Sequence, residues 1–202
     1  PVNCYGNNVT REASYKDPVT NEYVGYTNIQ SNSYYWCKYN ADDALGEAFN
    51  STCTWEILMR LERNEGYNGA KNSSTGTTKF FSSQQGGGWS LYHYPSETDG
   101  FKFDYVQKKD DGTSTVTTTV KSGVKLITGK FYHLAVTVNR STQDVALYVN
   151  GQQVKTAKLT NTNELMFPNC GTTKRQVAMW FGLGGDPDGS DAPANCENST
   201  RA

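Results

Sequence analysis

Phe131-Tyr132-His133-Leu134-Ala135-Val136-Thr137-Val138-Asn139 is followed by Arg140-Ser141-Thr142-Gln143, and then by Asp144-Val145-Ala146-Leu147-Tyr148-Val149-Asn150-Gly151. In the first run Tyr132, Leu134, Val136 and Val138 fall on one side of an extended chain, and His133, Ala135 and Thr137 on the other. In the second, Val145, Leu147 and Val149 share a side. Alternation of period two marks a half-buried strand, because successive side chains of extended backbone point to opposite faces. The four polar residues between the runs predict an antiparallel hairpin. Asn150-Gly151 predicts a type I′ turn, since both residues tolerate positive φ, and a third strand follows over Gln152 to Ala157. The stretch is therefore a β-meander, and its residues read as scaffold.

The same period recurs outward from it. Trp55, Ile57, Met59 and Leu61 alternate with Thr54, Glu56, Leu58 and Arg60, which gives a strand with one apolar face. Strands are expected at Lys79 to Gln84, at Trp89 to Tyr92 and at Phe101 to Tyr105, where Phe101, Phe103 and Tyr105 share a face. Further strands are expected over Val116 to Val120 and over Val124 to Ile127, with Asp110-Asp111-Gly112 as a hairpin turn. Ser33 to Tyr39 reads as a strand with aromatic residues on both faces, and Ala41 to Ala48 as one helical turn with Asp42 or Asp43 near its N-terminus. Residues 1–33 are polar and turn-rich, with a single short strand expected at Tyr23 to Tyr26; residues 64–78 read as an exposed loop. Gly86-Gly87-Gly88 implies positive φ or a close backbone contact. A phosphate cradle is disfavoured, because no Gly-Lys-Ser/Thr and no following helix accompany it.

Four segments carry a family resemblance: "AFNSTCTWEILMRLE" (48–62), "KFFSSQQGGGWSLYHY" (79–94), "FYHLAVTVNRSTQDVALYVNGQQV" (131–154) and "MWFGLGGDPDG" (179–189). In this order they resemble the laminin-G-like, concanavalin A-like jelly-roll superfamily, in the variant that stands beside phosphoesterase and glycosidase domains of secreted bacterial proteins. The resemblance spans roughly residues 35–190. It implies an all-β fold, a two-sheet antiparallel jelly-roll sandwich, in one domain over residues 1–202, with residues 187–202 as a loop-like tail. The family's closing strand is not recognisable after Asp186. The chain is then either cut from a longer protein or completed by a strand from a partner through β-augmentation.

Composition narrows the function. The 202 residues carry Lys+Arg 19 against Asp+Glu 20, a net charge of -1, which gives no electrostatic footprint for nucleic acid or an anionic membrane. No run of eighteen apolar residues occurs, so no membrane-crossing helix is expected. The start at Pro1 is read as that of a mature or trimmed product. None of the five cysteines forms a Cys-x-x-Cys pair, which favours disulfides and a secreted or cell-surface location over a metal centre. The pairs expected are Cys170 with Cys196 and Cys37 with Cys53, leaving Cys4 free or bonded to another chain. Sequons at Asn8, Asn50, Asn72, Asn139 and Asn198 are glycosylation candidates.

Catalysis is disfavoured. Glycosidases of the fold that the sequence resembles carry Glu-x-Asp-x-Glu on one strand, which puts all three carboxylates on one face. Glu56 has no such company, Glu62 and Glu65 are three apart, and Asp186 and Asp188 flank Pro187. Of the two histidines, His133 reads as a packed or hydrogen-bonded strand residue, and His93, between Tyr92 and Tyr94, as part of a binding surface. Asp186, Asp188 and Asp191 around Gly189 could hold Ca²⁺. Sugar recognition stacks aromatic faces on pyranose rings and adds polar hydrogen bonds. Trp36, Gln84, Gln85, Trp89, Tyr92 and Tyr94 are the candidates for it, with Trp55 and Trp180 read as core. The expected function is that of a non-catalytic extracellular module that binds a glycan or glycoprotein or mediates adhesion. An assembly module completed through an open sheet edge or Cys4 comes second, and a glycoside hydrolase third.

Overall fold

A computed structural model of the protein describes residues 3–5, 9–16, 21–29, 34–40, 42, 44–61, 78–84, 86–93, 100–167 and 176–181. The chain enters through β1 (Asn3–Tyr5), β2 (Val9–Lys16), β3 (Tyr23–Ile29) and β4 (Tyr34–Asn40). A short helix, α1 (Ala44–Phe49), leads into β5 (Cys53–Arg60). Then come β6 (Thr78–Gln84), β7 (Gly88–His93), β8 (Phe101–Lys108) and β9 (Thr115–Lys121). The meander is β10 (Phe131–Asn139), β11 (Asp144–Val149) and β12 (Gln152–Lys158), and β13 (Gln176–Phe181) follows. The strands form a seven-stranded sheet, ordered β1-β4-β13-β6-β7-β8-β9, a four-stranded sheet, β12-β11-β10-β5, and the separate β2-β3 pair. Every pairing is antiparallel, and two sheets share one core, so the architecture is the jelly-roll sandwich.

The meander forms as its alternation predicts. Leu134 pairs with Val149 and Asn139 with Asp144. Asn150 and Gly151 have φ of 50° and 79°, the two positive values a type I′ turn requires. The Asn150 carboxamide adds a lock by accepting the His133 N–H at 2.9 Å. Tyr132, Leu134, Val136 and Val138 turn into the core with Val145, Leu147 and Val149. Across from them the larger sheet contributes Trp89, Leu91, Phe101, Phe103 and Tyr105, all fully buried. Aromatic rings join the two layers: Trp55 of β5 lies 5.1 Å from Trp89 and 5.3 Å from Phe103, centroid to centroid. Tyr105 satisfies its hydroxyl by donating to the Phe49 carbonyl at 2.9 Å, which ties α1 to the sheet.

Four sequence expectations change. Residues 1–33 hold β1, β2 and all of β3, because polar strands at a sheet edge or in a hairpin lack the apolar alternation that announces buried ones. The helix begins at Ala44 rather than Ala41 and runs to Phe49. Val124 to Ile127 is not a strand. Gly123 takes φ of 69°, the Val124 N–H donates to the Ser122 hydroxyl at 3.1 Å, and the Ile127 N–H donates to the Tyr132 hydroxyl at 3.0 Å. Side chains thus take the place of a ladder. His93 is fully buried and stacked on Phe80, not part of a surface.

The triple glycine is explained by close approach. The chain at Leu165 to Phe167 runs against it, and the Gly88 N–H donates to the Met166 carbonyl at 2.5 Å. A Cβ on Gly87 would overlap the Met166 carbonyl oxygen and come within 2.6 Å of that of Phe167. Gln107 holds the preceding turn, donating from Nε2 to the Asn161 and Asn163 carbonyls at 2.8 and 2.9 Å.

Candidate functional site

The seven-stranded sheet has a second face, turned away from the sandwich core. Registers across β6 to β9 assign residues to it. Ser82 pairs with Ser90, Ser90 with Asp104 and Asp104 with Thr119. Directly opposed residues of antiparallel strands share a face. One row is therefore Ser82-Ser90-Asp104-Thr119, all hydrogen-bonding groups. The backbone register continues it to Trp180 of β13 and from there to Trp36 of β4. The row two residues away is Tyr92-Lys102-Lys121, with Lys79 opposite Tyr92. On the other side lie Gln84, Gly88, Val106 and Thr117.

This face is graded from closed to open. Ser82, Ser90, Tyr92 and Lys102 are buried, Gln84 and Asp104 half-buried, and Thr119 and Lys121 exposed. Asp104 is the pivot. One carboxylate oxygen accepts the Thr119 hydroxyl at 2.6 Å, and the other lies 3.5 Å from the Gln84 Nε2 donor. An ionised carboxylate offers about four acceptor positions, so two remain for a ligand. The Ser82 and Ser90 hydroxyls are buried and make no hydrogen bond among the described residues. Both serines are fully buried beneath the chain's own atoms, where hydroxyls ordinarily have partners.

Of the predicted sugar contacts, Gln84 and Tyr92 lie on this face, though Tyr92 is only 7% exposed. Trp89 does not. It is fully buried on the opposite face, among Phe49, Trp55 and Phe103, and has no ring surface to offer a ligand. Its neighbour Ser90 takes the outer position, because a single residue step reverses the face. Trp36 is placed in register with the polar row, and nothing of its side chain is described. Gln85 and Tyr94 lie outside the described residues. The reading missed Asp104, Thr119, Ser82, Ser90 and Lys102. Their signal was present: in Phe101-Lys102-Phe103-Asp104-Tyr105 the polar residues occupy alternate positions opposite the aromatic set.

The remaining candidates scatter. Cys53 carries a free thiol, so the Cys37–Cys53 disulfide is not made. Their strands belong to different sheets, with Cys37 opposite Met179 in the larger one. Burial pushes the Cys53 thiol pKa up. Cys4 lies in β1, paired with Tyr35. Cys170, Cys196 and the predicted calcium ligands Asp186, Asp188 and Asp191 lie outside the described residues, as do Asn8, Asn72 and Asn198. The other two sequon asparagines are engaged through their side chains. The Asn50 Oδ1 accepts the Leu165 N–H at 2.8 Å, and the Asn139 Oδ1 accepts the Thr142 N–H at 3.2 Å. His133 packs on its strand as expected, with Nε2 3.3 Å from a Glu56 carboxylate oxygen. Among the described residues no helix is long and apolar enough to cross a membrane.

Solved structures share the fold at low sequence identity. Domain 4 of an extracellular arabinanase from Geobacillus stearothermophilus, solved with arabinotriose, aligns at 15% identity and a TM-score of 0.50, covering 91% of this chain and 83% of that one. The CBM40 of the Ruminococcus gnavus IT-sialidase aligns at 14% identity and 0.46, covering 80% and 79%. The carbohydrate binding module CBM66 from Bacillus subtilis aligns at 13% and 0.37, covering 90% and 96%. No curated protein sequence matches. A family model described as the concanavalin A-like lectin/glucanases superfamily matches residues 68–193, more than half of the chain. By the meander, the two-sheet core and this match, the chain belongs to the concanavalin A-like lectin/glucanase superfamily.

Proposed function

We propose that the protein is a non-catalytic, extracellular carbohydrate-binding module that takes its glycan on the outer face of the seven-stranded sheet. The observation that carries the reading is the registered row Ser82-Ser90-Asp104-Thr119, with Asp104 held at both oxygens and two buried serine hydroxyls beside it. Asp104 accepts from sugar hydroxyls, Gln84 and Thr119 fix its orientation, and Tyr92 supplies apolar contact at the closed end. Membership of a lectin/glucanase superfamily and the glycan ligand named for one structural neighbour are in keeping with it. A catalytic role is disfavoured because the sequence lacks Glu-x-Asp-x-Glu. Secretion rests on the cysteine pattern, and an adhesion role would follow from the same binding face.

The test is a glycan array followed by calorimetry, run with calcium and again with chelator. Asp104→Ala should abolish the hit while leaving the melting temperature within a few degrees. Binding unchanged by Asp104→Ala would move the site elsewhere, and a blank array from folded protein would reject the glycan reading. Loss of binding in chelator would assign a calcium role to Asp186, Asp188 and Asp191. An assembly role is the second reading, favoured by β5 having no outer neighbour in the smaller sheet among the described residues.

A further inference from the structure

Asn-Gly occurs twice in the chain, at Asn68-Gly69 and at Asn150-Gly151. The dipeptide has a chemistry of its own. The glycine nitrogen, with no side chain to hinder it, attacks the carboxamide carbon of the asparagine before it. The new N–Cγ bond closes a cyclic imide, the Cγ–Nδ2 bond breaks, and ammonia leaves with the glycine amide proton. Water then opens the imide at either carbonyl. The products are aspartate and isoaspartate, in which the main chain runs through Cβ and Cγ. Asn68 lies outside the described residues. Asn150 forms the turn between β11 and β12, and its surroundings bear on each step.

Access is no obstacle there. Asn150 and Gly151 are both exposed, and a Cβ built on Gly151 meets nothing within 4 Å. Conformation is the obstacle. Ring closure needs Cβ and the glycine nitrogen eclipsed about the Cα–C bond of the asparagine. The first central residue of a type I′ turn has ψ of about +30°, which keeps those two atoms well away from eclipsed. Asn150 and Gly151, with φ of 50° and 79°, form a turn of that class. Two hydrogen bonds to one residue of β10 hold it. The Asn150 N–H donates to the His133 carbonyl at 2.8 Å, and the Asn150 Oδ1 accepts the His133 N–H at 2.9 Å. The carboxamide that must swing over to Gly151 is thus tied to the neighbouring strand. That strand is itself fixed, since β10 lies between β11 and β5.

We propose that Asn150 is a deamidation site closed by the type I′ turn and the His133 clasp, and reactive only when that turn opens. Its two products act differently on the fold. Aspartate keeps an oxygen where Oδ1 was and tolerates positive φ, so the clasp re-forms. Isoaspartate adds a methylene to the main chain inside a two-residue turn. The β11–β12 register and the bonds to His133 then no longer fit together.

The test incubates the full chain at mildly alkaline pH, folded and in urea, and follows Asn150 and Asn68 by peptide mapping with isoaspartate detection. In urea the two sites should react at similar rates, since both are Asn-Gly in an unfolded chain. In the folded chain Asn150 should react about tenfold or more slower than in urea, because its rate is scaled by the fraction of time the turn is open. Protein carrying isoaspartate at position 150 should melt below the unmodified chain, and Asn150→Asp should melt close to it. Asn150 reacting as fast in the folded chain as in urea overturns the proposal. So does an Asn150 that stays intact in urea while Asn68 converts, and so does an isoaspartate form as stable as the unmodified chain.

Discussion

Asp104 and Trp89 are fifteen residues apart in sequence and sit on adjacent strands, yet one lies on the outer face of the sheet and the other in the core. Trp89 is opposite Tyr105 in the ladder, and Asp104 is opposite Ser90. Trp89→Ala would empty a fully buried indole site among Phe49, Trp55 and Phe103. It should cost about 3–5 kcal/mol by denaturant titration, and any loss of glycan binding in that variant would follow from unfolding. Asp111 is a different case, exposed and held only by its turn. The Ser114 hydroxyl, with the Ser114 and Thr113 amides, brings its carboxyl down to about 2. Lys158 and Lys108 likewise lower Asp144 and Glu164. A lowered folded value means stability that is present above the unfolded value of about 4 and lost as pH falls toward 2. Acid unfolding followed by tryptophan fluorescence should begin below about pH 4, and Asp111→Asn should flatten its low-pH limb.

At the scale of the element, glycine decides where turns close and where chains touch. Gly151 has φ of 79° with nothing within 4 Å of a Cβ built on it, so Gly151→Ala suffers only backbone strain. It should lower stability by about 1–2 kcal/mol. Gly87 is constrained by space, with the Met166 and Phe167 carbonyls against it. Gly87→Ala must move backbone, and should cost more than Gly151→Ala in the same chemical denaturation series. Equal losses would show that the contact at Met166 yields easily. The strands legible beforehand run from β4 to β12, and the clearest of them, β5, β8, β10 and β11, are those whose apolar residues alternate against one core. Val124 to Ile127 has strand composition but no ladder, because Ser122 and Tyr132 took its donors.

For the whole molecule, the two functional readings occupy different sheets. The row Ser82-Ser90-Asp104-Thr119 proposed for a glycan lies on the seven-stranded sheet, and β5 is the outermost strand of the four-stranded one among the described residues. If the chain dimerises, its melting temperature should rise with protein concentration, because association stabilises only the folded state.

The fold was written locally. Period-two alternation, Asn150-Gly151 and the apolar runs around Trp55 and Phe101 fix strands, turns and one hydrophobic face each, since those properties depend on near neighbours in sequence. The candidate site was only half legible. Gln84 and Tyr92 could be picked out by residue type, but aromatic character alone could not tell Trp89 in the core from a ring on the surface. That choice depends on which face the other sheet covers. The alignment of Ser82, Ser90, Asp104 and Thr119 needs four strands set side by side in one register. Which strand lies next to β5, and the placing of Cys37 and Cys53 on strands of different sheets, depend on the same assembly. Those are contacts between distant parts of the chain, and only the tertiary structure decides them.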